Sequence, residues 1–393
     1  MNYRTIATTG DRVPALGYGC MRFPRKGTGI DEQRTKSQVI SAIGRGVNYF
    51  DTAYIYPGSE KVLGKILADS NLREKVKIAT KLPHILIKNS ADMQTIFNKQ
   101  LERLQTNYID YYLIHNIGSM ADWHRIKELG TLEFIQGLRR AGQVKFIGFS
   151  FHGNLQTFKH LVDDYPWDFC QIQYNYLDEN FQAGTAGLNY AAQKGLGIIA
   201  MEPLRGGTLG ENIPPAAEKL MRSVAPQRSP AEWALRWLLD KPQISVVLSG
   251  MGVQEHIDEN IHTACQENFE LKGEELACLE KVKEIFTQKI KVPCTGCAYC
   301  LPCPRGVDIP ACFALYNNRS VHGGLGPIIH YINATEGIVN ASPSRASLCT
   351  GCGACVKNCP QQIDIPAKLR ETAKNMEKAH LKVPVRIAMR LMR

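Results

Sequence analysis

Eight short apolar runs punctuate the chain up to Leu248: Leu16–Cys20, Asn48–Phe50, Val76–Ala79, Tyr108–Leu113, Val144–Phe149, Phe169–Gln173, Leu196–Ala200 and Ser245–Leu248. Between them lie longer stretches whose apolar residues recur every three or four positions. QTIFNKQLERLQ and SPAEWALRWLLD show the pattern, which is that of a helix with one buried face. Ser229-Pro230, with Glu232 following, marks a helix start. Strand and helix alternating eight times predict an α/β fold, an eight-stranded (β/α)8 TIM barrel. An open doubly wound sheet is the competitor, and it usually announces itself with Gly-x-Gly-x-x-Gly after its first strand. LGYGCMRF supplies only Gly17 and Gly19.

In such a barrel the chemistry belongs at the C-terminal ends of the strands. The second run leads into FDTAYIYPGSE, with Asp51 and Tyr56; the third ends in IATKLP, with Lys81; the fourth ends in YYLIHN, with His115. A tyrosine is a poor acid at its ordinary pKa near 10, but a neighbouring ammonium stabilises the phenolate. A carboxylate beside that lysine holds it in place, and a histidine opposite can orient a substrate oxygen or relay a proton. Taken singly, Asp51 could cap a turn, His115 could be structural, and Tyr49 or Tyr54 could be packing residues. Four matching types at three consecutive strand ends point to proton transfer.

Beyond this region the pattern changes. PCTGCAYCLPCP (293–304) and CTGCGACVKNCP (349–360) hold eight of the thirteen cysteines. Disulfides do not suit a chain whose other cysteines are scattered singly, and structural zinc usually takes two separated pairs. Two Cys-x2-Cys-x2-Cys triplets, each followed by a further cysteine and proline, resemble a ferredoxin domain with two [4Fe-4S] clusters. In that family the remote cysteine of each run ligates the other cluster. The resemblance implies one cluster on Cys294, Cys297, Cys300 and Cys359, and another on Cys349, Cys352, Cys355 and Cys303. Cys300 and Cys303 enclose two residues where the family has three, so the first run departs from the family pattern at its remote ligand. The insert between the runs, with YNNRSVHGGLG and PIIHYI, predicts a mainly helical variant. Cys20, Cys170, Cys265, Cys278 and Cys312 read as buried small hydrophobes or unpaired thiols.

With GVNYFDTAYIY, Lys81 and His115 in view, residues 1–285 resemble the aldo/keto reductase family. The whole chain is similar to its bacterial branch with a C-terminal iron–sulfur domain. The resemblance implies Tyr56 as general acid toward a carbonyl, or base toward an alcohol, with Asp51 and Lys81 tuning it and His115 orienting the substrate. It implies NAD(P)H as cofactor, with the nicotinamide held by Ser150 and Gln171, Met201 where an aromatic often stacks, and Glu259 and Asn260 at the adenine end. Phe151 stands where asparagine is common. Gly250 and His256 stand where NADPH-preferring members carry lysine and arginine, so neither phosphate form is favoured. Hydride passes two electrons and a four-iron cluster one, which leaves three arrangements: clusters that are structural or redox-sensing beside conventional carbonyl reduction, a flavin as intermediary, or a barrel that uses ferredoxin electrons in place of nicotinamide. The competing role is a flavin-mediated or ferredoxin-linked electron-transfer protein, or an accessory redox subunit.

The implied layout is a barrel over 1–285, a ferredoxin-like domain over 286–370 and a basic amphipathic tail over 371–393. The expected partners are a small carbonyl or alcohol substrate and a redox partner protein. Trp123 and Phe151 are candidates for an apolar slot beside the tetrad. Composition (44% hydrophobic, 21% charged) suits a globular protein, and no run approaches the length of a membrane span. The N-terminus lacks the apolar core of a secretory signal, so a cytoplasmic location is expected. The formal charge of +10 is dispersed until the denser stretch Lys368 to Arg393, which does not read as a nucleic-acid site. The tail AHLKVPVRIAMRLMR suits packing on its own barrel, with a membrane surface as the alternative.

Overall fold

The computed structural model describes residues 1–27, 29–211, 213–335 and 342–378. By its contacts the chain divides into two compact units, residues 1–204 with 231–271, and residues 205–230 with those from 272 onward. The predicted tail beyond residue 378 lies outside the described residues.

The first unit is a closed barrel of eight strands: β1 (Leu16–Gly19), β2 (Tyr49–Asp51), β3 (Lys77–Leu82), β4 (Ile109–Ile117), β5 (Val144–Phe151), β6 (Phe169–Gln173), β7 (Gly197–Met201) and β8 (Val246–Ser249). They pair in sequence order, all parallel, and β8 closes on β1. A hairpin of Tyr3–Thr5 and Arg12–Pro14 precedes them. Its Asp11 accepts from the Tyr111 hydroxyl at 2.5 Å and pairs with Lys77.

Side chains alternate between faces along a strand. The barrel's core cluster contains Tyr49, Ala79, Tyr111, Leu113, Phe169, Ile199, Val246 and Leu248. Two residues further along the same faces come Asp51, Lys81, His115, Gln171 and Met201. The polar set is thus the upper layer of a stack whose lower layers are apolar. Gly17 is explained by this packing. A Cβ there would lie 2.8 Å from Val246, 2.9 Å from Leu248 and 3.2 Å from Tyr49. It is a barrel-interior glycine and not part of a phosphate-binding turn.

The predicted elements are present, but β2, β3, β4, β5, β7 and β8 run further than their apolar runs. Polar residues follow four of those runs (Asp51, Thr80, Ser150 and Ser249), whereas the hydrogen-bonded ladder continues: Lys81 pairs with Leu113 and Leu82 with Ile114. Lys81 and His115 therefore sit within strands, not beyond them. The helices begin where their caps lie. Asn89 and Asp92 form a reciprocal capping box at Ser90–Leu104, and Asp31 accepts from the Arg34 N–H at Glu32–Gly44.

The second unit is mainly helical. Helix Pro215–Val224 packs on Gly273–Lys289, with Arg228 paired to Glu275 at 2.5 Å. Helices Ile309–His322, Gly326–Thr335 and Ile365–Met376 enclose a core that includes Phe313, Tyr331, Ile332, Leu369 and Met376. Each cysteine run leads into the same helix start, Asp-Ile-Pro-Ala. Asp308 accepts from the Ala311 N–H, and Asp364 from the Ala367 N–H, both at 3.1 Å. The backbone repeats as well: Gly296 and Gly351 take φ of 70° and 77°, Ala298 and Gly353 of 63° and 74°. The region is an internal duplication.

Candidate active site and cysteine quartets

Lys81 and Asp51 are 1% and 4% exposed. The Lys81 ammonium donates to both Asp51 carboxylate oxygens and to the Thr52 carbonyl, each at 2.7 Å. All three ammonium protons are thereby used. Burial pushes the Asp51 carboxyl above its ordinary range, opposed by the Lys81 charge and by hydrogen bonds from Lys81 and Gln171. Tyr56, half-buried at the mouth, lies with its ring centre 5.3 Å from the ammonium. His115 meets that ring edge-on, centroids 6.0 Å apart. Burial, helped by the Lys81 charge and by His152 and His84, holds the His115 imidazole well below its usual pKa. It is neutral at neutral pH. The structure thus gathers the four predicted residues around one point.

The loop carrying Tyr56 is tied down on both sides. Thr52 and Ser59 share a hydroxyl hydrogen bond of 2.8 Å, and Ser59 donates to the Cys20 carbonyl at 3.0 Å. Behind the loop lies a polar network that the sequence pattern did not signal. Glu60, 2% exposed, accepts from Thr80 (2.7 Å), Gln100 (2.9 Å) and Arg103 (3.0 Å). Gln100 also donates to the Lys81 carbonyl at 3.1 Å and accepts from Tyr112 at 2.8 Å. Arg103 donates to the Tyr54 carbonyl at 3.2 Å and lies 4.3 Å over the Tyr54 ring. A glutamate in a helix's first turn reads as solvated, so nothing local marks Glu60 as buried. His152 was likewise missed. It follows β5, and burial lowers it to about 4.

Ser150 and Gln171 are register partners across β5 and β6. Ser150 Oγ accepts the Asn116 N–H at 2.8 Å, leaving its own proton to donate. Gln171 Nε2 lies 3.6 Å from the sulfur of half-buried Met201. Gln171 Oε1 is buried without a hydrogen-bond partner, an open acceptor costly to leave unmet. Asn260 is buried and donates to Ser249 Oγ at 2.9 Å, which ties helix Gln254–Ala264 to the end of β8; Glu259 beside it is half-buried. Trp123 and Phe151 do not line a slot at the mouth. Both are fully buried, Trp123 against Trp167 with its indole N–H on Asp164 at 2.6 Å, and Phe151 against Phe149 and Phe158.

In the second unit Cys300 is pushed up to about 12 by burial and by the charges of Cys297, Cys294 and Cys359. Cys355 is raised by burial and by Cys349, Cys303 and Cys352. The eight cysteines therefore sort into two groups of four, each drawing one member from the other run. The Gly296 N–H points to Cys294 Sγ at 3.4 Å. Among the described residues, no three His, Cys, Asp or Glu side chains converge as a single bound metal ion would need. Of the isolated cysteines Cys20, Cys170, Cys278 and Cys312 are buried and Cys265 is exposed. No described helix is long and apolar enough to cross a membrane.

Comparison with known proteins agrees with this architecture. The chain is 29% identical to an L-galactose dehydrogenase of Arabidopsis thaliana over 72% of its length and 94% of the relative's. It is 28% identical to a probable aldo-keto reductase 1 of Glycine max, over 65% and 82%. Among solved structures, an aldo-keto reductase of Bacillus halodurans (AKR11C1, holo form) superposes with a TM-score of 0.59 at 24% identity. One from Klebsiella pneumoniae, in complex with NADPH, gives 0.59 at 22%. Each covers 72% of this chain and 96% of its own. Residues 293–363 match the profile of a 4Fe-4S dicluster domain. Residues 15–284 match that of the Aldo/keto reductase family, and this chain, an oxidoreductase of the aldo/keto reductase type, belongs to that family.

Proposed function

We propose that the barrel interconverts a carbonyl and an alcohol, with Tyr56 donating the proton in reduction and accepting it in oxidation. The observation that carries this is the Lys81 ammonium, bound to both oxygens of a buried Asp51 and held 5.3 Å from the Tyr56 ring centre. A fixed positive charge there stabilises the phenolate that proton donation leaves behind. Neutral His115, edge-on to Tyr56, offers a hydrogen bond to a substrate oxygen and does not compete as an acid. Gln100 and Glu60 hold the strand and loop that carry Lys81 and Tyr56.

The residues at the mouth fit a nicotinamide. Gln171 Oε1 is an open buried acceptor for a carboxamide N–H, and the adjacent Ser150 hydroxyl is a donor for its oxygen. Met201 would flank the ring, with Glu259 and Asn260 toward the adenine end. When bound, such a cofactor supplies or accepts hydride. That one solved relative is in complex with NADPH supports this cofactor class here.

The cysteine groups fit two [4Fe-4S] clusters, on Cys294, Cys297, Cys300 and Cys359, and on Cys349, Cys352, Cys355 and Cys303. A tetrahedral zinc draws four thiolates to about 2.3 Å of one point. These quartets interact electrostatically without converging in that way, as ligands at the corners of a larger cluster do. The first unit then holds the barrel strands, while the second joins the ferredoxin-like segment to residues 205–230 and 272–285, which the sequence alone assigns to the barrel domain. The test is anaerobic purification with iron and sulfide analysis, then turnover of simple aldehydes with NADH and NADPH by wild type and Tyr56→Phe. Loss of turnover in Tyr56→Phe with cluster absorbance intact is expected; persisting turnover would refute Tyr56 as the acid. A flavin released on heating would place a flavin between hydride and cluster chemistry.

A further inference from the structure

The two cysteine loops are duplicates in sequence and backbone but not in exposure. CTGCAYC and CTGCGAC align position by position, with matching left-handed backbone at Gly296 and Gly351 and at Ala298 and Gly353. Thr295 is buried where Thr350 is exposed. Gly296, Cys297 and Tyr299 are half-buried where Gly351, Cys352 and Ala354 are exposed. Ala298 and Cys300 reverse the order: Ala298 is exposed where Gly353 is half-buried, and Cys300 is half-buried where Cys355 is buried. Equal loops with unequal cover mean that two equivalent ligand sets face different surroundings.

The open loop also has a distinct rim. Val356, after Cys355, and Leu301, after Cys300, are alike at 38% and 39% exposed, but Val356 is followed by exposed Lys357 where Leu301 is followed by Pro302. Arg305, two residues after Cys303 of the same quartet, is exposed as well. Neither Cys349–Ile363 nor Cys294–Val307 contains an Asp or Glu. A cationic rim around an uncovered redox centre attracts anionic partners and speeds their encounter.

We infer that the quartet of Cys349, Cys352, Cys355 and Cys303 is the electron port of this protein, where a one-electron carrier protein with an acidic contact face exchanges electrons. This rests on the reading that the quartets hold clusters. The step is one electron: the carrier is oxidised by one as the port cluster goes from [4Fe-4S]2+ to [4Fe-4S]1+, or the reverse, and no bond is made or broken. The Cys294 quartet is then the inner centre, loaded through the port.

The test uses small oxidants of opposite charge on the dithionite-reduced, cluster-loaded full chain, followed by stopped-flow recovery of the cluster absorbance that reduction had bleached. In wild type, anionic ferricyanide should react faster than size and driving force alone predict, and cationic hexaammineruthenium(III) slower. Arg305→Glu/Lys357→Glu should lower the ferricyanide rate about tenfold and raise the ruthenium rate, both differences fading at high salt. Lys291→Glu, ahead of Cys294, should leave both rates unchanged. Iron content separates the two readings. With about eight irons per chain, rates unmoved by the double variant, or moved equally by Lys291→Glu, would overturn the port. Substantially fewer irons would overturn the two-cluster reading beneath it.

Discussion

Replacing Lys81 by methionine keeps a long apolar stem and removes one charge. That charge sits 5.3 Å from the Tyr56 ring centre. At an effective dielectric of about 20, two unit charges at that separation interact by about 3 kcal/mol, or about two pKa units. The Asp51 carboxylate, 2.7 Å from the ammonium, cancels part of this, so a rise of about one to two units in the Tyr56 phenol is expected. The assay is a tyrosinate absorbance titration, wild type minus Tyr56→Phe, which cancels the other tyrosines of the fifteen. The same difference is then taken on a Lys81→Met background. Because the barrier follows phenolate stability, kcat/KM should fall about 10- to 100-fold with KM little changed. Lys81→Met strands a buried carboxyl whose pKa burial already raises. Asp51→Asn/Lys81→Met therefore serves as the better-folded companion. A shift below about half a unit in both variants would refute the claim that Lys81 tunes Tyr56 through its charge.

Three further outcomes follow from the geometry. Arg103→Met should cost about 3 kcal/mol in urea unfolding, because Glu60 is left buried without its cation, and adding Glu60→Gln should restore more than half of it. Ala298→Gly should raise the melting temperature of the second unit, by about 0.5–1 kcal/mol of stability, since Ala298 holds φ 63° where the duplicate loop has glycine; unchanged melting would count against strain there. His152 titrates near 4 folded against 6.5 unfolded, so the unfolded chain binds the extra proton between those values. Barrel stability should be full above about pH 6.5 and fall as pH drops toward 4. All four tryptophans lie in the first unit (Trp123, Trp167, Trp233 and Trp237), so their fluorescence reports that unit alone. His152→Gln should flatten the slope.

The alternation of apolar runs and helical stretches determined the barrel, because eight repeats of one strand and one helix have few ways to bury both faces. Spacing alone likewise marked the six triplet cysteines, and the structure sorts them, with Cys303 and Cys359, into two groups of four. The types and order of Asp51, Tyr56, Lys81 and His115 pointed to proton transfer before any coordinates. Other features were settled by tertiary structure. Strand ladders ran past the polar residues that ended the apolar runs, because backbone pairing does not depend on side-chain polarity. The burial of Glu60 was invisible because its partners Thr80, Gln100 and Arg103 come from other elements. Trp123 and Phe151 went into one aromatic layer, Phe151 through its register on β5 and Trp123 from helix Met120–Glu128, and neither placement follows from distance in sequence to the tetrad. Exposure came from the fold alone: two loops with nearly the same sequence and backbone are covered to different extents.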